Sequence, residues 1–106
     1  MTVVCRLSDL PPDRGVAALL PDGAQVAVFH TGAGELFALS NIDPYSGAAV
    51  LSRGIVGDLR GVPVVASPMH KQHFELHSGE CVEDRAVTVR VYPVRVAAGQ
   101  VVVEDP

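Results

Sequence analysis

Two short stretches hold most of the residues that could do chemistry. The first, Asn41-Ile42-Asp43-Pro44-Tyr45-Ser46-Gly47, offers a carboxylate and a phenol two residues apart, an acid and a proton donor that could face a pocket. The second, Ser67-Pro68-Met69-His70-Lys71-Gln72-His73-Phe74-Glu75-Leu76-His77-Ser78-Gly79-Glu80-Cys81, holds three imidazoles and a thiol, which are metal-ligand types. Geometry limits the metal reading. If His73 and His77 share one strand they lie about 13 Å apart at ~3.3 Å per residue, whereas two ligands of one zinc ion each sit about 2 Å from it. His70 in a loop could meet His73 or His30, but histidines flanking a Phe74 and Leu76 core face are the simpler expectation. An aspartate before proline opens a turn, so the Asp43 side chain is expected to hold backbone N–H groups. Arg53, Asp58 and Arg60 form an expected loop salt-bridge set. No nucleophile has a base beside it.

The elements that must position these loops read as strands. Val3 to Leu7 is a short strand candidate ended by Ser8-Asp9-Leu10-Pro11-Pro12, whose double proline cannot continue a ladder. Val16 to Leu20 and Gln25 to His30 form a hairpin, because Pro21-Asp22-Gly23 combines a fixed φ with a residue that accepts positive φ. Leu36 to Ser40 continues the meander. Glycines at 47, 54, 57 and 61 then interrupt the pattern, leaving one helical turn near Ala48 to Ser52. Val62 to Ala66 is a short buried strand ended by Pro68, and Phe74 with Leu76 restarts the alternation before Ser78-Gly79 turns the chain. Val87 to Val91 alternates strictly, with three valines on one face and Thr88 and Arg90 on the other. Pro93 marks an edge or bulge, and Val94 to Val96 with Val101 to Val103 close a hairpin about Ala98-Gly99. The fold class is therefore all-β, an antiparallel sandwich or barrel. Residues 1–40 and 82–106 form its main body, and residues 41–81 form a small inserted subdomain carrying the two loops.

Length and charge narrow the function. One domain accommodates 106 residues, and the net charge of −4 with scattered Lys and Arg argues against nucleic acid. No basic leader or apolar span near 18 residues is present, so no membrane segment is expected. Cys5 and Cys81 show no CxxC spacing and read as free buried thiols of a cytoplasmic protein.

A barrel carrying an inserted subdomain with two polar-Pro loops, the second followed by an aromatic, a Leu and a Ser-Gly turn, resembles the Rieske ferredoxin family along the whole chain. That family holds a [2Fe-2S] cluster by CxH on one loop and CxxH on the other. Alignment by the prolines places Asp43 and Tyr45 at the first pair and Ser67 and His70 at the second. Only His70 is of the usual type, and the soft thiolates are missing, so no cluster is expected in this chain.

A narrower set of residues comprises Val4-Cys5 with Leu10, Asn41 to Pro44, Ser52 to Asp58, Ser67-Pro68 with Lys71-Gln72 and Phe74, Gly79 with Cys81, and Val91 to Val94. Together these resemble the small-subunit family of assimilatory NAD(P)H-dependent nitrite reductase, the NirD family. His70 stands where that family varies, and the start close to Val4-Cys5 suggests a trimmed or unusual beginning.

This resemblance implies a non-catalytic accessory subunit without a cofactor of its own. Its partner would be a large subunit bearing FAD, sirohaem and an iron–sulfur cluster, which reduces nitrite to ammonium. Pro44, Tyr45, Pro68, Met69 and His70 form the expected contact tip. The rival readings are a Rieske-like electron carrier with unconventional ligands and a small metal- or ligand-binding protein.

Overall fold

The computed structural model describes residues 1–32, 34–69 and 71–104. Ten strands follow one another: β1 (Thr2–Arg6), β2 (Arg14–Leu19), β3 (Gln25–His30), β4 (Leu36–Ser40), β5 (Ile55–Leu59), β6 (Val62–Ala66), β7 (His73–Glu75), β8 (Val91–Tyr92), β9 (Val94–Ala97) and β10 (Gln100–Val103). Short 3-10 turns at Leu7–Asp9 and Leu51–Arg53 complete the elements. The fold is all-β, as the sequence implies. The strands form three antiparallel sheets of order β1-β10-β9, β2-β3-β4-β8 and β5-β6-β7, packed in a sandwich-like arrangement.

Strand β3 explains how the layers hold together. Val26 and Val28 enter one core with Leu10, Leu20, Tyr92, Val101 and Val103, while Ala27 and Phe29 enter another with Leu51, Val65, Phe74, Leu76 and Cys81. Successive side chains of a strand point to opposite faces, so a strand buried on both faces must be apolar at every position. Val26 to Phe29 satisfies that, with all four residues at 0% exposure. Full burial of side chains such as Phe29 contributes about 1.5–3 kcal/mol each. The second core joins the middle sheet to the β5-β6-β7 sheet and forms the floor beneath both loops.

The expected hairpin turn at Pro21-Asp22-Gly23 is present. Leu20 N–H donates to Ala24 O, the Asp22 carboxylate accepts from Ala24 N–H, and Gly23 has φ +91°. Pro93 is a corner between sheets: β8 belongs to the middle sheet and β9 to the outer one, and Glu104 N–H donates to Pro93 O.

Two expectations fail. Ile55 to Leu59 is a five-residue strand despite Gly57, because it pairs with β6 at every position from Ile55↔Ala66 to Leu59↔Val62. Tertiary pairing here overrides the low strand preference of glycine. Val87 to Val91 is not a continuous strand: Thr88 makes one isolated bridge to Glu80, and the ladder forms only at Val91 and Tyr92. The phase slips, so that Val89 and Tyr92 are buried and Val91 is exposed.

Candidate functional site

The first loop is built from its own side chains. Asn41, buried at the end of β4, accepts from Ser52 N–H through Oδ1 at 2.7 Å, and its carbonyl accepts from Val50 and Leu51 N–H. Asp43 Oδ1 accepts from Tyr45 N–H at 2.8 Å and from Ser46 N–H at 3.4 Å. The expected turn-opening role of Asp43 is thus present, and Gly47 N–H closes the loop on Asp43 O at 2.7 Å.

The second loop closes in the same way. Ser67 N–H donates to Gln72 O, Lys71 N–H donates to Ser67 O, and Ser67 Oγ accepts from Met69 N–H. The loops are then joined directly, because the Ser67 hydroxyl donates to Asp43 Oδ2. Both residues are buried, with Asp43 at 0% and Ser67 at 1% exposure. A buried carboxylate must be fully hydrogen-bonded to be tolerated, and Asp43 receives three donors from two loops.

Tyr45 leans over this pair toward Cys81. Its ring lies 6.4 Å from the Phe74 ring, and its hydroxyl donates to Cys81 Sγ at 3.5 Å. The Cys81 thiol in turn lies 3.6 Å from Glu83 Oε1. Glu83 also accepts from His73 N–H at 2.8 Å, and its other oxygen lies 2.6 Å from His73 Nδ1. Tyr45 is pushed up to about 12, first by its hydrogen bond to Cys81, then by burial and by the charges of Cys81, Asp84 and Glu83. Burial works against Glu83, but the hydrogen bonds from the His73 backbone and ring outweigh it and hold the carboxyl low.

Cys81 lies outside both loops in the chain and is brought under the first one by the Tyr45 hydroxyl. Part of the signal was available: Ser78-Gly79 turns the chain and brings Cys81 opposite Phe74, where an isolated bridge forms. The described histidines are dispersed. His30 Nδ1 lies 3.1 Å from Leu10 O, His73 engages Glu83, and His77 stands edge-on to Phe37 at 4.6 Å. His77 is in the turn after β7, so the supposed shared strand does not exist. His70, a candidate at both the second loop and the contact tip, lies outside the described residues. Among the described residues no group of three or more His, Cys, Asp or Glu could hold a metal ion, and Arg53, Asp58 and Arg60 form no mutual ion pair. Of the candidate tip, Tyr45 is 40% and Met69 52% exposed, and Pro44 and Pro68 are exposed beside them.

Two polar loops joined over a shared core, at the end of an all-β sandwich, define a class. Residues 1–104 match the Rieske-like [2Fe-2S] domain family, and the chain belongs to it. Within that family the similarity is specific. The chain is 44% identical over 99 residues to the nitrite reductase (NADH) small subunit of Escherichia coli K12, covering 92% of this chain and 91% of that one. A solved Mycobacterium tuberculosis protein assigned as an NADH-dependent nitrite reductase small subunit superposes with a TM-score of 0.94 at 50% identity. That match covers 96% of this chain and 91% of the other. The chain is a member of the nitrite reductase small-subunit family, the NirD family.

A third similarity is of another kind. The NAD(P)H nitrite reductase large subunit of Klebsiella oxytoca is 40% identical over 98 residues, which cover 92% of this chain but 10% of that one.

The residues present do not fit the [2Fe-2S] cluster of the wider family. The two loops meet through a carboxylate and a hydroxyl bonded to each other, and Tyr45 is committed to Cys81. These are oxygen donors where iron–sulfur clusters take thiolate and imidazole.

Proposed function

We propose that this chain is the non-catalytic small subunit of a cytoplasmic NAD(P)H-dependent nitrite reductase, and that it docks through its loop tip on the large subunit. The large subunit would carry the FAD, sirohaem and iron–sulfur cluster and reduce nitrite to ammonium. This chain would bind, stabilise or orient it. The observation that carries the reading is the Klebsiella oxytoca similarity, in which a domain like this one forms a tenth of a large-subunit polypeptide. A domain found both as its own chain and within the larger chain is one whose natural neighbour is that larger chain.

The tip supports the same reading. Pro44, Tyr45, Pro68 and Met69 present apolar surface on two closed loops, and aromatic and Met side chains are enriched where protein surfaces meet. Rigid loops lose little conformational entropy on binding, so hydrogen bonds spent inside the loops favour association. His70 belongs to the same proposed tip by sequence. A cytoplasmic location agrees with two unpaired cysteines, and no helix among the described residues is long and apolar enough to cross a membrane.

The test is NAD(P)H-driven nitrite reduction by the large subunit with and without this chain, alongside co-purification from the same mixture. Association with a changed rate or lifetime of the large subunit is expected. Two folded proteins that neither associate nor alter the rate would overturn the proposal.

A further inference from the structure

Strand β5 presents an edge that the described residues leave open. In the sheet of order β5-β6-β7, β5 pairs with β6 on one side only. Among the described residues no other backbone group bonds to Ile55–Leu59. An open edge is a template for another strand, and proteins ordinarily blunt it with lysine, proline, a bulge or a covering loop. Here the five pairs with β6 run without a register shift, and β5 holds neither lysine nor proline. Ile55 is 77% exposed.

A groove runs along this edge toward the ends of β2 and β3. It consists of two hollows of about 400 and 350 Å³ that share Asp13 and Val56. Their charges are opposite in sense. Glu35 and Asp58 line the hollow at the Leu59 end, Arg14 and Arg53 line the one at the Ile55 end, and Asp13 stands between them in both. None of these five side chains is in an ion pair among the described residues.

Resting on the partner assigned above, we infer that the β5 edge receives an extended segment of the large subunit, which adds as a strand. The groove specifies its chemistry. An antiparallel segment enters at the Leu59 end, so it carries a Lys or Arg in its first half, a small apolar residue over Val56, and an Asp or Glu near Arg14 and Arg53. Main-chain bonds to β5 supply affinity and the two charged ends set direction and register. The groove and the loop tip are two separate contacts with one chain, and two linked contacts bind more tightly than either alone.

Hydrogen exchange of the β5 amides, in the whole chain with and without the large subunit, tests this together with the variant Arg53→Glu/Glu35→Lys. Both side chains are exposed and make no ion pair among the described residues, so the variant is expected to fold like the parent. Slowing of β5 exchange by tenfold or more in the complex is expected, with at least tenfold weaker association of the variant at an unchanged melting temperature. Association of the parent with β5 exchange unchanged and the variant equally tight overturns the edge assignment and leaves the partner standing. Failure of the parent to associate removes the partner and this inference with it. Slowing that depends on the concentration of this chain alone makes a second copy the occupant, which also overturns it.

Discussion

The Ser67 hydroxyl donates to the Asp43 carboxylate, and this buried bond ties the two loops into one unit. Asp43 also receives Tyr45 N–H and Ser46 N–H, so one side chain organises both the first loop and its junction with the second.

Asp43→Ala is expected to lower folding stability by about 2–4 kcal/mol, because it strands the buried Ser67 hydroxyl and two loop amides. Ser67→Ala is expected to lower it by about 1–3 kcal/mol. Since the two touch, the double variant should fall short of their sum by more than about 1 kcal/mol. Denaturant unfolding of the four proteins measures this; simple additivity would mean that the bond does not couple the loops.

The raised Tyr45 value should depend on the Cys81 side chain. Replacing Cys81 by Ala removes the largest cause of the raised Tyr45 value of about 12, so phenolate formation should move down toward 10. Ultraviolet titration of the parent and Cys81→Ala, with Tyr45→Phe to separate Tyr92, measures it.

Stability should fall at both ends of the pH range for opposite reasons. Between the ordinary phenol value of 10.0 and about 12, the unfolded Tyr45 loses its proton while the folded one keeps it, so stability declines as pH rises through that window. Glu75 is held low, chiefly by its hydrogen bond from Arg85, and Glu83 is held low by His73 against the effect of burial. Both carboxylates therefore contribute stability that is present above their ordinary value of 4.5 and lost as pH falls through their folded values. A melting-temperature profile against pH should show both declines, and Glu83→Gln should flatten the acid one.

The closing hairpin can be improved. Ala98 and Gly99 both have positive φ, at 52° and 76°, between the paired residues Ala97 and Gln100. That turn favours Asn-Gly, since an L-residue with a Cβ is strained there and Asn is tolerated. Ala98→Asn is expected to raise stability by about 0.5–1 kcal/mol, read as an increase in the denaturant midpoint at unchanged slope.

Much of this was legible in the sequence, and the lapses have physical causes. Leu36 to Ser40 and Val62 to Ala66 read correctly because each is a short apolar run ended by turn chemistry. The loops read correctly because a polar residue before proline has few other conformations available. Strand β5 was hidden because Gly54 and Gly57 resemble a loop. Gly54 is required for another reason: a Cβ there would lie 2.4 Å from Ala66 O, so its smallness lets the chain pass close against the end of β6. Val87 to Val91 misled because alternation reports which face is buried and not whether a neighbouring strand is there to pair. Cys81 reads correctly as a free buried thiol, but its contact with Tyr45 is tertiary, set by how the hairpin after Phe74 folds back, and was not legible.

The most direct measurement is a binding isotherm of this chain with the large subunit, run for the parent and for Tyr45→Asp/Met69→Asp, with melting curves of each. Saturable binding by the parent is expected, with binding weakened at least tenfold in a variant that still unfolds cooperatively. Equal affinity of parent and variant would contradict docking through the tip, and absence of parent binding would contradict the role as a small subunit of that enzyme.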